Sequence, residues 1–210
     1  MEERAVQLKI TLKNSKPPIW RRVLVKSSIS FYELHYTIQL AMGWGIFHLY
    51  EFKIGDYRIG ITEEGFDDPE YIGSDVIEAT KITLEEVLSK GEVKSFTYEY
   101  DFGDGWIHSI LVEKTMPLDP NTYYPVCIKG KLACPPEDCG GLPGYYNLLE
   151  ILSNKKHPEY KDMIKWMGGR FDPTDFEVED VNVHLEDIQS IMEEEDDDFD
   201  DDFDDDILNN

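Results

Sequence analysis

Long apolar runs are missing from this chain. No stretch of 18 apolar residues occurs, so the sequence offers no membrane-spanning helix. Cysteine is scarce. Three in 210 residues do not make a disulfide framework, and a reducing, cytoplasmic home is the simple expectation. The start, Met1-Glu2-Glu3-Arg4 followed by a strand-like alternation, lacks the apolar core of a signal peptide. Basic residues are also few, 20 Lys and Arg against 44 Asp and Glu, a net charge of −24. Twelve of the acids lie between Glu193 and Asp206 with no base among them, and the remainder still has an acidic excess. Binding to a nucleic-acid backbone draws on Lys and Arg neutralising phosphates, so this balance argues against nucleic acid as partner. The local exception is Lys16, Arg21, Arg22 and Lys26. No internal repeat is visible.

An apolar fraction of 41% is enough for a sizeable core. Val6, Leu8, Ile10 and Leu12 alternate with polar residues as in a half-buried strand, and Ile19 to Val25 continues after an Asn14–Pro18 turn. Ser30 with Glu33, and Thr83 with Glu86, are capping-box spacings that open helices; Gly43 and Gly91 close them. Short strands flank Gly55-Asp56, and Thr62 to Ser74 reads as an exposed acidic loop. Met116 to Gly141 carries five prolines and all three cysteines, a long loop of the kind that tends to be functional. Helices follow from Pro143, Pro158 and Val181. Strands early and helices late give one α+β domain over residues 1–192, an antiparallel or mixed sheet packed with helices. Residues 193–210 are expected to form a disordered acidic tail, punctuated by Phe199, Phe203, Ile207 and Leu208.

The centre of interest is Tyr98 to Ile110, two alternating runs around Gly103-Asp104-Gly105. With Asp104-Gly105 as a two-residue hairpin turn, Asp101 faces His108 across the ladder; a three-residue loop would instead bring Tyr100 opposite His108. The Asp-Gly pair favours the first register. An Asp101–His108 pair is then explained equally by structure and by chemistry.

Several motifs together resemble the plasmid pRiA4b ORF-3-like family: Lys16-Pro-Pro-Ile-Trp-Arg-Arg22, Ala41-Met-Gly-Trp44, Tyr100-Asp-Phe-Gly-Asp-Gly-Trp-Ile-His108 and Cys134-Pro-Pro-Glu-Asp-Cys-Gly-Gly-Leu-Pro-Gly-Tyr145. The likeness spans roughly residues 4 to 190. It implies a compact α+β domain with an antiparallel sheet, in a family sometimes carried on mobile elements, and it brings no activity with it. Where relatives read His-Leu-His at the start of the third strand, this chain has His48-Leu49-Tyr50.

Three functions follow as expectations. The first is a binding or interaction module for an unknown protein or small molecule, with its surface on the 98–110 hairpin and the 134–145 loop, at Trp106, Glu137, Asp138 and Tyr145. The second is a metal-dependent enzyme, hydrolytic or acting on nucleic acid, that uses Asp101, Asp104 and His108. Its divalent-metal ligands would come from His48, Asp101, Asp104, His108, Cys134 and Cys139, since imidazole, carboxylate and thiolate are what such ions take. The third is a mobile-element-associated nucleic-acid binder. Cys139 as a nucleophile is disfavoured, because Glu137 and Asp138 beside it oppose thiolate formation. Asp101-Phe102-Gly103 matches the kinase magnesium triplet by chance, since the other kinase motifs are absent.

Overall fold

The structure, a computed structural model, describes residues 3–61 and 76–193. Strands β1 (Arg4–Leu12) and β2 (Trp20–Lys26) lead into helix α1 (Phe31–Met42). Strands β3 (Tyr50–Ile54), β4 (Tyr57–Gly60) and β5 (Val76–Glu78) follow, then a 3-10 turn at Ala79–Lys81 and helix α2 (Leu84–Ser89). Strands β6 (Ser95–Tyr100), β7 (Trp106–Pro117) and β8 (Val126–Lys131) precede helices α3 (Gly141–Ser153), α4 (Tyr160–Trp166) and α5 (Val178–Glu186). All eight strands join one sheet in the order β5-β4-β3-β6-β7-β1-β2-β8. Only the β4–β5 pair is parallel. The sheet is therefore mixed, and the chain is a single-domain α+β protein.

Alternation decides which face is buried. Val6, Leu8, Ile10 and Leu12 of β1 are 0–1% exposed, while Gln7, Lys9 and Thr11 between them stay half-exposed. The buried side of β6 and β7 supplies Phe96, Tyr98, Tyr100, Trp106, His108 and Ile110. Helix α1 lies against this aromatic face. The Ser30 hydroxyl accepts from the Glu33 amide at its start, and Gly43, at φ +87°, ends it in a conformation that disfavours a side chain. Nine of its twelve residues are buried, including His35, Thr37 and Gln39, so it is a core helix rather than a surface one. Thr83 and Glu86 form the full reciprocal capping box of α2.

Three expectations change. The hairpin has neither register foreseen: Tyr100 pairs with Trp106, and Tyr98 with His108, around a five-residue loop 101–105. Asp101 adopts φ +53° and its Oδ1 accepts from the Gly103 amide (2.9 Å), so an Asx turn overrides the Asp-Gly signal. The segment expected as one long loop contains β8, an edge strand that pairs with β2 across a bulge. Pro125 and Gly130 obscure its alternation in the sequence. The last helix begins at Val178, three residues before its expected start. The acidic tail beyond 193 and the whole Thr62–Ser74 loop lie outside the described residues.

Candidate functional site

The four sequence motifs meet at one end of the sheet, where the β6–β7 tip, the segment after α1 and the 134–141 loop come together. Glu137 is the clamp. Its Oε1 accepts from the Tyr100 hydroxyl (2.7 Å) and its Oε2 from the Gly45 amide (2.7 Å). The Trp44 indole N–H donates to the Pro135 carbonyl (2.8 Å), and the Gly140 amide donates to the Asp104 carboxylate (3.1 Å). The carboxylate acceptors make the Glu137 and Asp104 bonds among the stronger hydrogen bonds available to a loop. Burial and the Glu137 carboxylate push the Tyr100 hydroxyl well above its ordinary pKa, so it stays a donor.

Arg21 anchors the other side. Its guanidinium, buried against expectation for a surface patch, donates to the Ala41 carbonyl (2.8 Å), the Trp20 and Lys131 carbonyls and the Cys134 sulfur (3.2 Å). Cys134 in turn donates to the Met42 sulfur. Burial pushes the Cys134 thiol up to about 11, despite Arg21. Burial and the Asp104 and Asp138 carboxylates push Cys139 up to about 12. Both are inert thiols near neutral pH. A cleft of about 480 Å³ opens between Trp44, Cys134–Glu137 and the Trp166–Phe171 stretch after α4.

His108 is not part of this rim. It is 0% exposed and sits under Trp44, whose ring meets it edge-on at 5.4 Å. Its Nδ1 lies 3.1 Å from the Trp106 carbonyl, and burial lowers its pKa to about 3. The expected Asp101–His108 pair does not form, because the five-residue loop turns Asp101 outward while His108 follows the core face. Asp101, Asp104 and His108 therefore do not assemble. Trp106 (1% exposed) and Tyr145 (4% exposed), expected on the binding surface, are core residues instead.

The rim brings together another set. His48 Nε2 is 3.8 Å from Asp101 Oδ2 and 3.3 Å from Asp138 Oδ1. Among the described residues, these three side chains are the group whose ligand atoms all lie within 4.8 Å of one another. Asp101 Oδ1 is held by the Gly103 and Asp104 amides, which leaves Oδ2 aimed at His48. Donors about 2.0–2.1 Å from a tetrahedral ion lie about 3.3 Å apart, so a small inward adjustment would let the triad hold a transition metal. The motifs point to His48 and Asp101 as ligands and to Asp138 only as surface; the φ of +57° at Asp138 turns it toward the pair, and nothing in the local sequence signals that. The His-Leu-Tyr departure falls elsewhere. Tyr50 is buried and stacked on His35 at 3.6 Å, inside the core rather than at the rim.

The fold and this junction define a single-domain α+β protein built around a clamped acidic loop. Residues 4–180 match the plasmid pRiA4b ORF-3-like protein family, and the chain belongs to it. It is 39% identical over 163 residues to the uncharacterized protein y4hQ of Sinorhizobium fredii, a match covering 78% of this chain and 80% of that protein. The crystal structure of MM3350, a protein of unknown function from Methanosarcina mazei Go1, superposes with a TM-score of 0.76 at 35% identity, covering 86% of this chain and 98% of that one. No helix among the described residues is long and apolar enough to cross a membrane.

Proposed function

We propose that the chain is a binding module whose recognition surface is the junction of the β6–β7 tip with the 134–141 loop. What supports this is the Glu137 clamp: two strong hydrogen bonds hold a loop whose next residue, Asp138, keeps its side chain 69% exposed. A fixed, presented carboxylate suits recognition, because little ordering entropy remains to be lost on binding.

A second reading, a divalent-cation site, is favoured by the His48–Asp101–Asp138 triad. One imidazole with two carboxylates suits zinc or manganese better than calcium, which takes six or more oxygens. A metal-dependent enzyme would have to be built on this triad, with Asp104 occupied by the Gly140 amide and His108 sealed in the core. Titration of tag-free protein with Zn²⁺ and Mn²⁺ by calorimetry, with elemental analysis of the purified chain, tests the cation. The triad predicts one ion per chain, lost in both H48A and D138N. Stoichiometric binding that survives both substitutions would remove the triad, and no binding of either ion would leave the junction a recognition surface without metal.

A further inference from the structure

The sheet has a second face. Outward side chains of β7, β1, β2 and β8 form two rows in register: Leu111, Lys9, Arg22 and Lys129, and beside it Ser109, Thr11, Trp20 and Lys131. None of these residues belongs to the hydrophobic core, and Leu111 is 42% exposed. Lys9 and Arg22 both lie over the Trp20 ring, 5.0 and 5.2 Å from its centre. Glu113 is the carboxylate beside the rows, and Arg22 holds it at 2.6 and 2.7 Å. In a chain of net charge −24, four cations set around a half-buried Trp20 and an exposed Leu111 are a local reversal of sign.

We propose that this face docks the chain's own acidic C-terminal segment, residues 193–208. Charge complementarity is the first reason, since twelve carboxylates and no base lie between Glu193 and Asp206. The apolar pattern is the second. Phe199, Phe203 and Ile207 recur at every fourth position and match a surface where Trp20 and Leu24 alternate with Arg22 and Lys26 along β2 and Leu111 lies opposite Lys9. The third is where the chain leaves the described fold. Leu185 in the last turn of α5 and Ile188 just beyond it are 0% exposed and fix the chain there, and the Gln189 side-chain amide reaches Glu33 at the start of α1 (3.4 Å). Burial raises the pKa of the Glu33 carboxyl and the charge of Lys26, the last outward residue of β2, opposes that rise. Seventeen residues follow Glu193. Extended, they reach about 55 Å, against about 20 Å for the length of β2. Single-stranded nucleic acid fits the face less well, because the Trp20 ring, its candidate stacking platform, already faces two cations.

Carbodiimide coupling of the full chain, followed by peptide mass spectrometry, tests the proposal, because it joins only lysines and carboxylates already in contact. At about 0.01 M salt, links from Lys9, Lys129 and Lys131 to residues 193–206 should exceed those from the exposed Lys155 and Lys156 several-fold in the monomer band. At about 1 M salt, where the screening length drops from roughly 30 Å to about 3 Å, the excess should vanish. The full-length variant K129E/K131E should lose most of the links to Lys9 as well. Links spread evenly over all lysines, or none to the three, would overturn the proposal. So would amide shifts confined to the two rows on adding oligothymidylate to the intact chain, which would give the face to nucleic acid.

Discussion

The base and the tip of the β6–β7 hairpin use the same residue types to opposite ends. At the base, Tyr98 and His108 face each other in the core. The Tyr98 hydroxyl is shared by His35 Nδ1 and Gln39 Nε2, each at 2.7 Å. His35 and His108, fully buried, are both lowered to about 3. At the tip, three residues along the chain from Tyr98, Asp101 meets a half-buried His48 with solvent on one side. The base is polar chemistry spent on packing. The tip is polar chemistry left available. A titratable residue inside a family signature is therefore not by itself evidence for an active site.

The largest effect that would break this contrast is acid. Neutral His35 and His108 must take up protons to unfold into water, where their pKa is near 6.5, so the stability they provide is complete above that pH and is lost as pH falls from 6.5 toward 3. Each contributes a slope on the order of 1 kcal/mol per pH unit. Melting temperature followed from pH 7.5 to 4.5 should fall steeply, and H108Q should reduce the slope. Below 4.5 Glu113, which Arg22 holds down at about 2, adds a loss of the same sign, so the window above it belongs to the histidines. A flat profile between pH 6.5 and 4.5 would place the histidines outside the neutral core.

Next in size is the joint between loop and helix. A Cβ on Gly144 would stand 1.7 Å from the Cys139 carbonyl oxygen, a backbone atom that cannot step aside cheaply. G144A should cost about 3 kcal/mol or more in a denaturant titration, at the upper end of overpacking effects. A loss below about 1 kcal/mol would mean that the 134–141 loop is not held as described. Smallest is the tip itself. D138N should leave the denaturation midpoint unchanged within error and alter only binding at the rim. A clear loss of stability would return Asp138 to the structural side of the comparison.

Much of the fold could be read from residue order because its signals are local. The alternation of β1, the Ser30 and Thr83 caps and the Gly43 stop each depend on a few neighbouring positions, and each appears as expected. The hairpin register failed because Asp101 had two local options, cross-strand pairing or an Asx turn, and contacts from elsewhere join the second: its amide donates to the Leu49 carbonyl at 2.9 Å. Strand β8 escaped notice because its pairing with β2, not its own sequence, makes it a strand. The site was half legible. His48, Asp101, Glu137 and Asp138 were all marked out by motif, but the partition into clamp and triad depends on contacts across 37 and 92 positions of chain. No spacing rule carries that information.

The bulge between Arg22 and Val23 leaves one more mark. It throws Ile128 out of register on an outermost strand that also carries Lys129, Gly130 and Lys131, while the opposite border, β5, is three residues long. Neither border offers a flat, uncharged row of free amides for another chain to zip onto. Open mixed sheets grow by accretion when their margins allow it, and among the described residues both margins of this one discourage a further strand.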